Sequence, residues 1–150
     1  MIPSAVEKEI LIEAPIDVVW QLVTEPNHIR QWFADAAEIE LRVGGRGALT
    51  FNGHDSYQLQ VEALQPPRRF AFRWVRRPGL VLREDSSLLV EFLLEPENGS
   101  TRLRVVESGF NAIDWSDEET AKYAEDHAKG WQLCLGRLRD LARTKPAARE

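Results

Sequence analysis

The stretch SDEETAKYAEDHAKGWQLCLGRLRDLAR, residues 116–143, decides the fold. Ser116 followed by Glu119 is a capping box, and Asp117, Glu118 and Glu119 place negative charge where a helix exposes its free N–H groups. At about 100° per residue, Ala121, Ala124, Ala128, Trp131, Leu135, Leu138 and Ala142 fall on one apolar stripe, with His127 and Cys134 at its flanks. Lys122, Glu125, Asp126, Lys129, Leu133, Arg137 and Asp140 lie opposite. Such a helix is about 40 Å long, enough to cross a whole small sheet. Its stripe therefore requires an equally long apolar face elsewhere in the chain.

Residues 36–110 supply that face. Turn chemistry recurs at Gly44-Gly45-Arg46-Gly47, Asn52-Gly53, Pro66-Pro67, Pro78-Gly79 and Asn98-Gly99, which leaves room for about six strands. Short Asn-Gly connections favour neighbouring antiparallel strands, hence a meander. Alternation puts Phe70, Phe72 and Trp74 on one face, Val90, Phe92 and Leu94 on one face, and Leu103, Val105 and Glu107 in one phase. A carboxylate, Glu107, is thus aimed at the apolar side. Upstream, Val6, Lys8, Ile10 and Ile12 alternate with polar residues as a first strand, and Pro15 and Pro26 each open a short helix. The expected architecture is α+β: a curved antiparallel sheet of about seven strands around a long C-terminal helix, with two short helices between the first two strands.

The 150-residue chain carries 19 basic and 24 acidic residues, a formal charge of −5, with one cysteine and 43% apolar residues. This suits a single domain over residues 1–150, its core spanning about 6–142, that buries roughly 69% of its unfolded surface. A lone Cys134 offers no internal disulfide, the first residues lack the pattern of an export signal, and no apolar run approaches a membrane span. A cytoplasmic protein without a nucleic-acid partner is the expectation. His28, His54, His127 and Cys134 have no metal-ligand spacing, so no metal and no cofactor are expected.

Six motifs in order, Ile12-Glu13-Ala14-Pro15 with Val18-Val19-Trp20, Gln31-Trp32-Phe33, Gly44-Gly45, Phe72-Arg73-Trp74, Glu107-Ser108-Gly109-Phe110 and Gly130-Trp131, carry a resemblance. The sequence resembles the bacterial homologues of the activator of the heat-shock-protein-ninety ATPase, within the START-like, polyketide-cyclase-like superfamily of helix-grip proteins. The resemblance extends from about Val6 to Ala142. It implies a hydrophobic cavity between sheet and helix for a small apolar ligand, and a place among proteins that include lipid carriers, cyclases and stress-associated members. One domain's length leaves no room for the separate chaperone-holding domain of the eukaryotic co-chaperone, so a chaperone partner ranks below a small ligand.

The expected cavity wall comprises Trp32, Phe33, Phe51, Phe72, Trp74, Phe92 and Trp131, with Glu107 and His127 near its mouth. Glu107 and His127 are also the candidate acid and base of a cyclase-like enzyme, the alternative to a non-catalytic binder. Glu107 otherwise needs a buried partner such as Trp74 or Tyr57. Arg68, Arg69, Arg73, Arg76, Arg77 and Arg83 form either a docking patch or a solvated outer sheet face, and Glu84 with Asp85 weakens their field. Leu80, Val81 and Leu82 mark residues 76–87 as a candidate lid, and with Leu133 as a candidate homodimer contact.

Overall fold

In the computed structural model, residues 5–83, 86–110 and 115–144 are described. The elements are β1 (Ala5–Ile12), α1 (Ile16–Thr24), α2 (Pro26–Trp32), β2 (Ala36–Ile39), β3 (Arg46–Phe51), β4 (Asp55–Gln65), β5 (Arg69–Val75), β6 (Ser87–Glu97), β7 (Ser100–Ser108) and α3 (Asp117–Arg143). One antiparallel sheet of seven strands runs β1-β7-β6-β5-β4-β3-β2. From β2 to β7 each strand pairs with its successor, as short connections dictate. β1 alone crosses, pairing along its whole length with β7 from Ala5 opposite Ser108 to Ile12 opposite Thr101. The expected helix-grip order is present, and the sheet curves around α3.

Local chemistry explains the connections. Asn98 and Gly99 link β6 to β7 at φ 53° and 84°, the left-handed pair that a two-residue hairpin of this twist needs. Asn52-Gly53 adopts the same signs, but His54 lengthens that loop to three residues. A β-carbon on Gly47 would overlap the Glu38 carbonyl oxygen, so β2 and β3 approach as closely as they do only with glycine there. Pro15 caps α1 from outside, and the helix starts one residue later than its first-turn placement would give. At α3 the capping box is complete: the Glu119 N–H donates to Ser116 Oγ and the Ser116 N–H to Glu119 Oε1, each at 3.1 Å.

The core lies between the inner sheet face and the helices. Phe70, Phe72, Val90, Phe92, Leu94, Leu103 and Val105 are buried there, in the phase that alternation assigns. The α3 stripe is turned slightly from the expected one: Thr120, Ala124, Trp131, Leu135, Leu138 and Ala142 are buried, whereas Ala121 is exposed. The cause is packing beside the edge strand. Ala121, Ala124 and Ala128 border a groove with Val6 and Lys8 of β1, where small side chains let the helix come close. The same turns carry Tyr123 and His127, stacked at 3.8 Å on the neighbouring flank of the helix, so the alanines border the surface groove beside β1 and not the space between α3 and the middle of the sheet.

Of the six arginines between residues 68 and 83, Arg69 and Arg73 lie on β5, on the face opposite Phe70, Phe72 and Trp74, and the others lie outside the strands. Arg69 pairs with Glu91 at 2.7 Å, Arg73 donates to Ser87 Oγ, and the Arg76 guanidinium lies 5.1 Å from the centre of the Trp115 ring. On the neighbouring strands Arg102 bridges Glu9 and Glu97, and Arg104 meets Glu7. Charges on this face are largely matched strand to strand, as a solvated face would have them. Glu84 and Asp85 lie outside the described residues. No helix among the described residues is long and apolar enough to cross a membrane.

Because Leu135 is only 2% exposed on the α3 stripe, Leu135→Ala is expected to cost about 2–5 kcal/mol. Urea unfolding should show it as a lower midpoint with an unchanged slope.

Candidate functional site

Near the middle of α3 the inner sheet face and the helix diverge, leaving a cleft of about 300 Å³. Its lining comes from four places: Phe33 at the end of α2, Phe51 of β3, Tyr57 of β4 and Trp74 of β5, and from α3 Asp126, His127, Gly130, Trp131, Cys134 and Arg137. Rings dominate the wall and brace one another. Phe33 stacks on Trp131 at 5.0 Å and on Trp32 at 5.3 Å, and meets Phe51 edge-on at 5.5 Å. Tyr57 and Trp74 sit 5.7 Å apart. Such arrangements fix ring orientation beyond what burial alone does.

Of the residues expected at the cavity, Phe33, Phe51, Trp74, His127 and Trp131 come together on this wall. Trp32, Phe72 and Phe92 pack behind it in the core, outside the lining. Trp32 is tied there by its indole N–H, which donates to the Leu22 carbonyl at 2.8 Å, while Phe92 touches Trp32, Phe70, Phe72 and Trp131. None of residues 76–83 contributes to the lining. Tyr57, Asp126, Gly130, Cys134 and Arg137 join it without having been anticipated there. The helical members fall at 126, 127, 130, 131, 134 and 137, a strip beside the core stripe, and that spacing is visible in the sequence.

Gly130 stands out because nothing in the helix backbone calls for it. A β-carbon there would have no neighbour within 4 Å. Glycine within a helix is worse than alanine by about 1 kcal/mol, so the position trades helix stability for room in the cleft.

Glu107 lies directly behind the wall with no solvent exposure. Its Oε2 accepts from the Trp74 indole at 3.0 Å, and its Oε1 accepts from the Trp131 indole at 2.9 Å and contacts His127 Nδ1 at 2.7 Å. Trp74, one of the two partners anticipated, provides a bond; Tyr57 provides none. The His127 ring is clasped by Tyr123, stacked at 3.8 Å, and by the edge of Trp74 at 6.1 Å. Its side chain is 26% exposed. Carboxylate and imidazole are thus in direct contact, and the imidazole alone reaches the cleft.

Burial pushes the Cys134 thiol up, with Arg137 opposing weakly, so the cleft cysteine is a neutral, poorly nucleophilic group at neutral pH. Burial also raises both tyrosine hydroxyls; the Glu107 charge adds to the effect at Tyr123, and Asp55 adds to it at Tyr57. Among the described residues no three His, Cys, Asp or Glu side chains converge as a metal site.

Two outcomes follow from this geometry. Glu107→Ala strands two indole N–H groups and an imidazole in the interior, and should cost about 3–5 kcal/mol in urea unfolding. The tyrosines hold their protons in the folded state above the ordinary value of 10.0, so above that pH the native state binds more protons than the unfolded one. Stability should then be insensitive to these groups below about pH 10 and fall above it, with tyrosinate absorbance of the native protein lagging behind that of the urea-unfolded chain.

The fold has counterparts among solved structures. A protein designated MLL2253 from Mesorhizobium loti superposes with a TM-score of 0.79 at 23% identity, over 95% of this chain and 99% of that one. CalU16 from Micromonospora echinospora gives 0.71 at 27% identity, over 96% and 77% of the two chains. The Aha1 dimer from Colwellia psychrerythraea gives 0.75 at 21%, over 93% and 96%. No functionally curated protein matches the sequence. The sequence profile described as "Activator of Hsp90 ATPase homolog 1-like protein" matches residues 13–143. With nearly the whole domain matched, and the helix-grip architecture in place, the chain belongs to the family of activator of Hsp90 ATPase homolog 1-like proteins.

Proposed function

We propose that the protein binds a small hydrophobic or amphipathic ligand in the cleft between the sheet and α3, without transforming it. The observation that carries this reading is the cleft itself: about 300 Å³ walled by Phe33, Phe51, Tyr57, Trp74 and Trp131, with Asp126, His127 and Arg137 as its few charged or ionisable polar groups on the helix side. A preformed apolar recess with a few convergent polar atoms is the general form of a small-molecule site. Burial of ligand surface against rings already fixed by their neighbours would drive binding at small entropic cost.

The direct 2.7 Å contact between Glu107 and His127 favours a second reading, a cyclase-like or aromatase-like enzyme using that pair. Against it, the other polar groups of the cleft stand on the helix side alone, apart from Tyr57. A co-chaperone-like role and a homodimer, as in the Colwellia relative, draw on surfaces instead; Val81 at 68% and Leu133 at 58% exposure are the apolar residues for such contacts.

Gly130→Leu tests the cleft reading without disturbing the core. The new side chain starts in open space and extends over the cleft, so the variant should be as stable as the parent or more so, by about 1 kcal/mol. Titration with anilinonaphthalene sulfonate should give saturable one-to-one binding with energy transfer from tryptophan in the parent, and a loss of about tenfold or more in Gly130→Leu. Equal binding by both proteins would place the ligand elsewhere.

A further inference from the structure

A carboxylate sealed behind the cleft wall orients α3 over the sheet, yet apolar residues of the same volume often stabilise a core as well as a buried ion does. Its bonding pattern points to another use. Indole N–H groups can only donate, so both Glu107 oxygens act as acceptors toward Trp74 and Trp131, as the two oxygens of a carboxylate do. With Glu107 as the carboxylate, the third contact, 2.7 Å to His127 Nδ1, takes its hydrogen from the imidazole. In the neutral ring this leaves Nε2 as the unprotonated nitrogen. Among the described residues Nε2 has no hydrogen-bond partner, and it is not a buried atom. The ring that carries this lone pair is part of the wall of a cleft lined with aromatic rings.

We propose that His127 Nε2 takes the proton of a weakly acidic hydroxyl, a phenol or an enol, on a ligand seated in this cleft, so that the ligand is held as its anion. The inference rests on the ligand-binding reading above. The ligand O–H bond breaks with its electron pair remaining on oxygen, and an N–H bond forms at Nε2; nothing is oxidised or reduced, and the total charge is unchanged. Glu107 on β7 balances the imidazolium from behind, which makes it a positioning residue rather than one that touches the ligand. Asp126 on α3 also favours the imidazolium, offset by Lys122 at 3.9 Å from it. Arg137 on the cleft rim opposes a second cation but attracts the ligand anion. Tyr123, Tyr57 and Cys134 are un-ionised near neutral pH and add no charge. Arg76, whose guanidinium lies 5.1 Å from the centre of the Trp115 ring and acts on the Tyr123 hydroxyl, opposes a second cation nearby as Arg137 does.

Two probes that differ only in the acidic hydrogen decide the matter: 4-nitrophenol and 4-nitroanisole, titrated into the full chain below the pKa of free nitrophenol. Tryptophan quenching reads occupancy, and the visible phenolate band reads proton transfer. Both probes should bind, and bound nitrophenol should show the phenolate band with its apparent pKa lowered by about one unit or more, a tenfold shift. In His127→Gln, a part-exposed position that does not threaten the core, the band should disappear and the ratio of nitrophenol to nitroanisole affinity should fall about tenfold. Glu107→Gln, if folded, should lower the bound phenolate fraction at a given pH. Nitrophenol that binds but stays protonated, or a phenolate band that survives His127→Gln, overturns the proton transfer and leaves the cleft reading intact. Failure of both probes to bind overturns the two together.

Discussion

Glu107 has no contact with water, so every bond that stabilises its charge must come from the protein, and two elements, β5 and α3, are fixed against β7 by supplying them. Trp74 on β5 reaches one oxygen, and Trp131 and His127 on α3 reach the other. Trp131 and His127 are four residues apart, one turn of helix, so both can meet a single oxygen only at one rotation and one height of α3 over the sheet. Apolar packing tolerates small rotations; a buried carboxylate with three directed bonds does not, because each lost bond leaves an unpaired polar group in a medium of low polarity. The phase of α3, and with it the side chains that line the cleft, follows from this junction.

Around the junction the aromatic residues divide into two populations. Phe70, Phe72, Phe92 and Trp32 fill the deep core, while Phe33, Trp74 and Trp131 pack on those rings and also line the cleft, with Phe51 and Tyr57 braced on Phe33 and Trp74 in front of them. Rings that brace one another keep their wall in place without a ligand. The opening persists because Gly130 contributes no side chain and because Asp126 and Arg137 are drawn outward to solvent at its rim.

Much of this was legible in the residues. The capping box, the two-residue period of the strands and the Asn-Gly turns are local signals, and each local preference agrees with the global architecture. Glu107 was legible as an inward carboxylate because strand phase is strict: shifting by one residue reverses the face. What strand and helix periods do not contain is the lateral position of one element on another. Ala121 was placed on the stripe by angle alone, yet the helix sits beside β1 and leaves it exposed. For the same reason Trp32, Phe72 and Phe92 share the inward face with Trp74 but end behind the wall; depth within a core depends on neighbours contributed by distant segments. The contact between Glu107 and His127, twenty residues apart, likewise follows from the crossing of β7 and α3 rather than from any motif.

The position of β1 has a further consequence for how the molecule comes into being. Strands β2 to β7 emerge from the ribosome in the order in which they pair, and each can dock on its predecessor as it appears. β1 is made first, but its only sheet neighbour, β7, starts at Ser100. During synthesis the alternating apolar residues Val6, Ile10 and Ile12 must wait, unpaired, until nearly the whole sheet exists, and closing so long a loop is the slow kind of contact. The last helix to be made then settles against the first strand. Completion of the fold is therefore a joining of the first strand of the domain to its last strand and last helix, and that seam stays open until both have been made.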